Sequence, residues 1–364
     1  MDSSRRTDPL TRLVAEAAHF AATDRVLLLN ADDPGLLGLL AERVATIDVY
    51  VERASTFDRL TTLSAGRRTS SAVINLHAEP FPLPIDIAEQ HYDTAIAILP
   101  KGREYGRALL WSARQALRPG GLLYMVGAND SGIKTLISDA ERLFKGARSL
   151  TNRDRARIGV AVQPPRAGAS YPDAWGDLPT LLQRRLIARL DLWTAPGIFS
   201  WQALDAGTAL LIDALGESAE RPANVLDVGC GVGVIGLALL ARQLADRVTL
   251  TDDQLLAVRC ARLNAEPFGG RATVAAGDLF AGLSATARGT FDRIVSNPPF
   301  HQGFMTDDQV ARRLIAEAGG WLIAGGRLTI VGNGFLPYER LLKESFGAVV
   351  RLRETPQFTV WEAV

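Results

Sequence analysis

Residues 226–233 read Leu-Asp-Val-Gly-Cys-Gly-Val-Gly, and this stretch decides the fold class. It overlaps the apolar run 224–228, which predicts a buried strand, and it precedes the helical pattern of 234–244. A glycine turn between a strand and a helix lets a ligand approach the backbone, and the helix N-terminus offers unpaired N–H groups. We therefore expect a ligand site lined by Gly229, Gly231 and Gly233.

Strand and helix patterns alternate along the rest of the second half. Strand-like runs come at 247–251, 272–276, 291–296 and 327–331, and helical patterns at 254–265 and 307–318. Such a βαβ series predicts a mostly parallel sheet with helices on both faces. The last run, 357–364, alternates as an antiparallel edge strand does.

The first half repeats the pattern. Its predicted strands are 26–29, 47–51, 93–99 and 122–126, and its predicted helices are 34–43 and 106–117. Val225 lies 199 residues after Val26, and Pro298 lies 198 residues after Pro100. Nearly constant offsets predict two tandem copies of one α/β fold, with a chance likeness between unrelated α/β domains as the alternative.

Prolines and glycines interrupt the pattern between the two halves. Five prolines and two glycines fall between Gln163 and Pro196. We therefore predict a first domain over 1–163, a linker over 164–195 with one short helix at 180–190, and a second domain over 196–364.

The composition of the 364 residues, 47% hydrophobic and 22% charged, is that of a globular protein. Forty basic and forty acidic residues cancel, which excludes a grossly basic nucleic-acid coat protein. Neither a membrane-spanning run nor a secretory signal is visible, so we expect a cytoplasmic protein without membrane association. Two cysteines are too few for a disulfide framework, and we expect no metal site.

The glycine stretch also bears on the cofactor. The spacing Gly231-x-Gly233-x-x-Gly236 fits a dinucleotide fingerprint. Asp227, however, lies at the end of the preceding strand, where a carboxylate would repel a pyrophosphate. The same carboxylate suits a ligand with an ammonium group, such as S-adenosylmethionine (SAM). The stretch therefore favours SAM over NAD.

Two further acidic residues follow strand ends. Asp252 lies 25 residues after Asp227, at a place where acids bind ribose hydroxyls in both NAD and SAM sites. Its alternative role is to cap the next helix. Asp278 follows the third strand, and it could accept a hydrogen bond from an adenine amine or cap a turn. We include both among the candidate cofactor ligands.

The motif Ser296-Asn297-Pro298-Pro299-Phe300 ends the fourth strand, where an open parallel sheet binds ligands. Asn297 offers a side-chain carbonyl and Pro298 a main-chain carbonyl, and prolines lack the N–H donors that would compete. Two acceptors that hold one NH2 group orient its nitrogen for methylation, and Phe300 offers a face for a planar base. The alternative is a proline-rich turn beside a core aromatic residue.

These motifs resemble the class I SAM-dependent methyltransferases that modify exocyclic amines, and among them the RsmC-like family of rRNA guanine-N2 methyltransferases. The likeness is good over 196–364 and looser over the first half. Three stretches carry it: 197–207, which contains Phe199 and Leu204-Asp205-x-Gly207, 297–303, which contains His301-x-Gly303, and 333–338.

The resemblance implies two Rossmann-like methyltransferase domains with mostly parallel seven-stranded sheets, the first of them degenerate. It implies methylation of the N2 amine of a guanine in 16S rRNA, of the guanine-1207 type, with SAM as cofactor. The partner would be rRNA or the small ribosomal subunit, and a monomer is favoured. Catalysis would fall to Asn297, Pro298 and Phe300, and substrate contacts to Phe199, Pro299, Phe300 and His301. Asn297 is also counted among the cofactor contacts. A base role for His301 is less expected, because the amine becomes acidic only after methyl transfer.

The first domain lacks the features of this site. Residues 30–35 read Asn-Ala-Asp-Asp-Pro-Gly, without the Gly-x-Gly spacing, and Leu99 aligns with Asn297. We expect this domain to support the second and to contact RNA through Lys101, Arg103 or the arginines between 148 and 157.

Three alternative functions stay open: a 23S rRNA guanine-N2 methyltransferase, a protein glutamine N5-methyltransferase, and a catalytically inactive RNA-binding assembly factor. Phe300 and the α/β first half weigh against the glutamine enzyme, because those enzymes commonly carry Tyr there and a helical first domain. Asp227, Asp252 and Asn297 weigh against inactivity.

Overall fold

A seven-stranded sheet forms the centre of each half of the chain. The structure is a computed structural model, and it describes residues 8–66, 72–79, 92–165, 172, 182–218, 220–298, 307–334 and 336–364. The chain divides into two units between residues 181 and 182. Every helix in these ranges is too short or too polar to span a lipid bilayer.

The first unit builds its sheet from seven strands. In chain order its elements are α1 (Pro9–Ala17), β1 (Arg25–Leu29), α2 (Pro34–Ala41), β2 (Thr46–Tyr50), α3 (Ala54–Gly66), β3 (Val73–His77), β4 (Tyr92–Ile98), α4 (Arg103–Ala116), β5 (Leu117–Ala128), α5 (Ile133–Ala140), β6 (Lys145–Arg153) and β7 (Ala156–Val162). The strand order is β3-β2-β1-β4-β5-β7-β6. The first five strands are parallel, and β7 pairs antiparallel with both β5 and β6.

Two hairpins were missed by the sequence prediction. One is β6–β7, and the other joins β8 (Gln183–Ile187) to β9 (Leu190–Thr194) within the predicted linker range. The helix predicted over 180–190 is therefore wrong, since its described part forms the second hairpin. Each hairpin turns on two non-glycine residues with positive φ, Asp154 and Arg155 at 54° and 61° and Ala188 and Arg189 at 52° and 66°. Sequences for such turns usually carry Asn-Gly or Asp-Gly, and neither hairpin does.

The second unit has the same strand order, β12-β11-β10-β13-β14-β16-β15. In chain order its elements are α6 (Ala206–Gly216), β10 (Asn224–Val228), α7 (Val234–Ala241), β11 (Arg247–Asp252), α8 (Leu255–Ala265), β12 (Ala272–Ala276), β13 (Phe291–Ser296), α9 (Asp307–Ala318), β14 (Leu322–Asn333), α10 (Tyr338–Ser345), β15 (Val349–Glu354) and β16 (Phe358–Ala363). Because both sheets share one order, the prediction of two tandem Rossmann-like domains is confirmed.

The strand predicted at 357–364 exists as β16 and is antiparallel, but it is not an edge strand. It pairs with β14 on one side and with β15 on the other, so β15 forms the edge. β15 escaped prediction because its side chains, from Val349 to Glu354, are mostly exposed and form no continuous apolar run.

Apolar packing fixes the segments that form the centre of the second unit. β10 buries Val225, Leu226 and Val228, and the helix after it, α7, consists of Val, Ile, Leu, Ala and one glycine. That glycine, Gly236, lets α7 approach β11 closely, since a Cβ there would lie 2.5 Å from Leu250 Cδ2. The N-terminus of α7 is thereby held at the carboxyl edge of the sheet.

Candidate active site

The carboxyl ends of β10, β11 and β13 meet at one edge of the second sheet. The register pairs Asp227 with Val295 and Val228 with Thr251. Ser296 Oγ donates a 2.7 Å hydrogen bond to the carbonyl of Val228, which fastens the end of β13 to the start of the glycine turn. This edge brings the glycine turn, Asp252 and Asn297 together.

The three predicted glycines all need their conformational freedom. Gly229, Gly231 and Gly233 have φ of 69°, 56° and 90°, a region that other residues rarely adopt. The N–H of Gly231 donates to Asp252 Oδ2 at 2.8 Å, so the turn is tied to the end of β11. Apart from the adjacent residues of the chain, no described atom lies within 4 Å of the place where a Cβ of Gly229 or Gly231 would be. The turn therefore faces open space on that side.

Asp227 is fully buried, and only one of its two carboxylate oxygens has a hydrogen-bond partner among the described residues. Its Oδ2 accepts a 2.9 Å hydrogen bond from the N–H of Gly236, while Oδ1 has no hydrogen-bond partner among the described residues. Burial raises the pKa of Asp227 from 3.8 to about 7, the Gly236 N–H opposes this, and the negative charge of Asp252 adds to it. A cationic ligand group near Oδ1 would relieve this strain.

Asp252 is half-buried, and both of its carboxylate oxygens accept hydrogen bonds from backbone N–H groups. Oδ2 accepts from Gly231, and Oδ1 accepts from the N–H of Gln254 at 2.8 Å. The helix-capping alternative is thus partly realised, because Gln254 is the residue before α8. A carboxylate has about four acceptor sites and can accept from more than two donors. The ligand role and the capping role are compatible.

Replacing Asp252 with alanine is expected to weaken SAM binding by about 10–100-fold, because hydrogen bonds to a charged group are worth about 1.5–3 kcal/mol. Calorimetric titration with SAM measures the affinity directly. Asp246→Ala provides the control, since this exposed residue precedes β11 and pairs with Arg221. An affinity equal to that of the control variant would remove Asp252 from the cofactor site.

Asn297 presents its amide in one fixed orientation. Its Nδ2 donates to Asp205 Oδ2 at 3.1 Å and to Thr208 Oγ1 at 2.9 Å. Its Oδ1 is buried and accepts no hydrogen bond from any residue that the structure describes. The amide therefore offers a free acceptor, as a site for an exocyclic NH2 group requires.

Asp205 and Thr208 were not predicted as site residues. Asp205 lies within the stretch 197–207 that carries the family likeness, where it has no predicted role. The side chain of Asp205 caps α6 by accepting from the N–H of Thr208 at 2.9 Å. The sequence signal was an acid just before a helical pattern, which predicts a cap but not the contact with Asn297.

The remaining predicted site residues lie in different surroundings. Asp278 forms a 2.8 Å ion pair with Arg313 of α9. Phe199 is exposed, in a segment that Gln254 holds by donating to the carbonyl of Gly197 at 2.9 Å. Pro298 is buried. Pro299, Phe300 and His301 lie outside the described residues. Over the described ranges, no three His, Cys, Asp or Glu side chains are grouped to hold a metal ion.

The first unit carries apolar residues where the second carries its polar ones. By strand register, Leu28 holds the position in the first unit that Asp227 holds in the second, and Val51 holds the position of Asp252. The side chains of Leu28 and Val51 are fully buried. By register, Ile98 is the residue of the first unit that corresponds to Asn297, whereas the sequence predicted Leu99. Neither Ile98 nor Leu99 has a side-chain amide. The first unit is thus degenerate, as predicted.

The donor set of the second unit fits SAM. The unpartnered Asp227 Oδ1 matches an ammonium group, the Asp252 carboxylate at the end of β11 matches a ribose diol, and the open side of the glycine turn leaves room for both. The first unit has none of these three features among its described residues.

Comparison with known proteins agrees with this geometry. The family model for the Methyltransferase small domain matches residues 189–362, and that for the Methyltransferase small domain N-terminal matches residues 13–159. The chain is 33% identical over 349 residues to the ribosomal RNA small subunit methyltransferase C of Alteromonas mediterranea, covering 92% of this chain and 93% of the relative. It is also 33% identical over 347 residues to the ribosomal RNA large subunit methyltransferase G of Alcanivorax borkumensis, covering 93% and 83%.

One solved structure matches along almost the whole chain. It is the T. thermophilus 16S rRNA N2 G1207 methyltransferase (RsmC) in complex with AdoMet and guanosine, with a TM-score of 0.79 and 27% identity. The match covers 98% of this chain and 92% of that one, so both units are included. The chain therefore belongs to the RsmC-like family of SAM-dependent methyltransferases.

Proposed function

We propose that this chain transfers a methyl group from SAM to the exocyclic N2 amine of a guanine in 16S rRNA, of the guanine-1207 type. The observation that carries the proposal is the fixed amide of Asn297, whose free carbonyl oxygen lies at the edge of the sheet beside the glycine turn. The small-subunit relatives and the guanosine-bound neighbour support guanine as the acceptor.

In this proposal the chain holds two ligands at one edge. Asp227, Asp252, Asp278 and the glycine turn would hold SAM, which when bound supplies a methyl carbon on a readily departing sulfur. Asn297 Oδ1 would accept from one N2–H of guanine and so aim the nitrogen lone pair, with the Pro298 carbonyl as second acceptor and Phe300 stacked on the ring. Positioning supplies the rate enhancement, and the amine proton passes to water after transfer.

A 23S rRNA guanine is the second candidate substrate, because a large-subunit relative matches the chain at 33% identity over 93% of its length. A protein glutamine N5-methyltransferase and an inactive RNA-binding assembly factor are the other two alternative functions. We further propose that the protein acts as a monomer and works in the cytoplasm.

Methyl transfer from tritium-labelled SAM separates these functions. The substrates are naked 16S rRNA, naked 23S rRNA, assembled small subunits and release-factor protein, all from cells that lack this gene. We expect label in 16S rRNA or small subunits, at a guanine that nuclease digestion and chromatography identify as N2-methylguanine. Label in 23S rRNA alone or in protein would overturn the proposed substrate, and no label anywhere would favour the assembly factor.

We also propose that the first unit contacts RNA through its β6–β7 hairpin. Two of the basic residues expected to contact RNA are neutralised by carboxylates. Lys101 pairs with Asp130 at 3.0 Å, and Arg103 pairs with Asp139 at 2.7 Å. Arg148 and Arg155 are exposed, and neither has a carboxylate partner in the described ranges. Cations without a carboxylate partner are those available to phosphates.

The matching hairpin of the second unit supports this choice by contrast. There, Arg351 of β15 pairs with Glu339 and Glu354. Arg353 pairs with Glu217. In the first unit only Arg153 of β6 has such a pair, with Glu16 and Asp154, while Arg148 and Arg155 have no carboxylate partner in the described ranges.

Replacing Arg148 and Arg155 together with glutamate is expected to weaken rRNA binding and to reduce the dependence of log affinity on log salt concentration by about 2. Filter binding across a series of salt concentrations measures both quantities. Lys101→Glu is the matched control and should change the slope less, because Asp130 already neutralises Lys101. Equal slopes for the double variant and wild type would contradict the RNA contact.

A further inference from the structure

We propose that Asp205 and Thr208 are positioning residues that fix the Asn297 amide with its carbonyl oxygen toward the substrate amine. This inference rests on the proposed function of the Asn297 site. It assigns a task in the reaction to the first turn of α6, which lies 92 and 89 residues away from Asn297 in the chain.

The chemistry of Asp205 sets the direction of the amide. An ionised carboxylate accepts hydrogen bonds and cannot donate them. The amide edge that faces Asp205 Oδ2 at 3.1 Å must therefore be the NH2 group, and the carbonyl oxygen must face the other way. The hydroxyl of Thr208 accepts from the same nitrogen at 2.9 Å and completes the grip.

A rotated amide would be penalised twice. Its oxygen would then face the Asp205 carboxylate, and its NH2 group would point toward the substrate amine as a second donor. Either contact opposes the reaction geometry, because the amine needs an acceptor to orient its lone pair. A group held in advance in the productive orientation spends no free energy on reorganisation when the substrate binds.

The first turn of α6 is itself held in place. The same Asp205 Oδ2 accepts from the N–H of Thr208, so one atom caps the helix and holds Asn297. Gly207 packs against β16, since a Cβ there would lie 3.0 Å from Phe358 Cδ1 and 3.1 Å from Asp205 Oδ2. Any larger residue would push the turn, and with it the carboxylate, away from Asn297.

Serine at position 205 separates positioning from helix capping. Serine caps helices about as well as aspartate, but its shorter side chain cannot also reach Asn297. Asp205→Ser is expected to lower kcat on rRNA by about 10–100-fold, with the SAM Kd and the rRNA KM within about threefold of wild type. Asp205→Asn keeps an acceptor oxygen without the charge, so its kcat should lie between those of wild type and Asp205→Ser.

Asp8→Ser is the matched control, because Asp8 caps α1 in the same way by accepting from the N–H groups of Leu10 and Thr11. It should leave kcat unchanged. Thr208→Val should lower kcat in the same direction as Asp205→Ser, while Thr208→Ser should retain more activity because it keeps the hydroxyl. A kcat of Asp205→Ser equal to that of Asp8→Ser would overturn the positioning role.

A spectroscopic readout keeps this inference separate from the proposed function. In protein labelled with ¹⁵N-asparagine, the Asn297 NH2 signals are identified by their loss in Asn297→Ala. We expect slow proton exchange of these signals in wild type and faster exchange in Asp205→Ser. Unchanged exchange overturns the inference even if rRNA is methylated. Faster exchange together with a wild-type protein that methylates no RNA supports the inference and overturns the proposed function instead.

Discussion

Replacing Asn297 with alanine is expected to lower kcat by about 10²–10³-fold, to the limit of detection, while the SAM Kd changes less than about threefold. The reason is that, in the proposed function, Asn297 holds the acceptor nitrogen of the substrate. The variant removes the one buried side-chain acceptor at the end of β13 that has no partner in the described residues. The Ser296 contact with Val228 that fixes the strand end is retained.

Single-turnover methyl transfer and calorimetric SAM titration measure the two quantities independently. Asn224→Ala is the matched control, because Asn224 begins β10 at the opposite end of the sheet and donates to the carbonyl of Thr290. It should retain full activity. If Asn297→Ala loses SAM affinity and turnover in equal measure, Asn297 belongs to the cofactor site and the proposed mechanism fails.

Replacing Asp227 with asparagine is expected to change stability and cofactor affinity in opposite directions. Burial holds the pKa of Asp227 at about 7, against 3.8 for an ordinary carboxyl. At pH 8 the ionised form therefore destabilises the folded protein by about 4 kcal/mol. Asparagine removes the charge but buries an NH2 group where Oδ1 has no partner, which costs about 1–3 kcal/mol. The net expectation is a gain of about 1–3 kcal/mol in unfolding free energy at pH 8.

The sign of the pH dependence follows from the direction of the shift. Because the pKa of Asp227 is raised in the folded state, the folded state binds this proton more tightly than the unfolded state does. Its contribution to the unfolding free energy therefore falls as pH rises from 3.8 to about 7. The advantage of Asp227→Asn should vanish near pH 4, where aspartate is neutral in the folded protein.

The same substitution should weaken SAM binding at pH 8, because it removes the charge that attracts the ammonium group. In wild type the SAM affinity should fall as pH drops below about 7, where Asp227 becomes protonated. Thermal unfolding and SAM titration at pH 4.5, 6, 7 and 8 test both expectations. Asp227→Asn with a lower Tm at pH 8 and an unchanged SAM affinity would sink the assigned role.

Local sequence patterns were enough to predict which residues meet at this sheet edge, because a parallel sheet brings the carboxyl ends of its strands together. The residues after parallel strands meet at one edge, so Asp227, Asp252 and Asn297 could be grouped without coordinates. The contact between Asp205 and Asn297 could not be predicted in this way. It depends on how the start of α6 packs against β16, and no periodic pattern encodes that distance.

Two of the missed strands share a physical cause. β6 and β15 lie at sheet edges with mostly exposed side chains, so they lack the apolar runs that identify central strands. The turns of β6–β7 and β8–β9 use aspartate, alanine and arginine at positive φ, where glycine or asparagine is the usual sign. Pairing partners, rather than local propensity, specify these segments.

Leu28 and Asp227 occupy equivalent positions in the central strands of two copies of one fold. With leucine there, the interior of the first unit is complete on its own. With aspartate there, the second unit buries a carboxylate oxygen that has no partner among the described residues, and in the proposed function the ammonium group of SAM would supply one. We therefore expect SAM to raise the stability of the second unit as well as to supply the methyl group, and to leave the stability of the first unit unchanged.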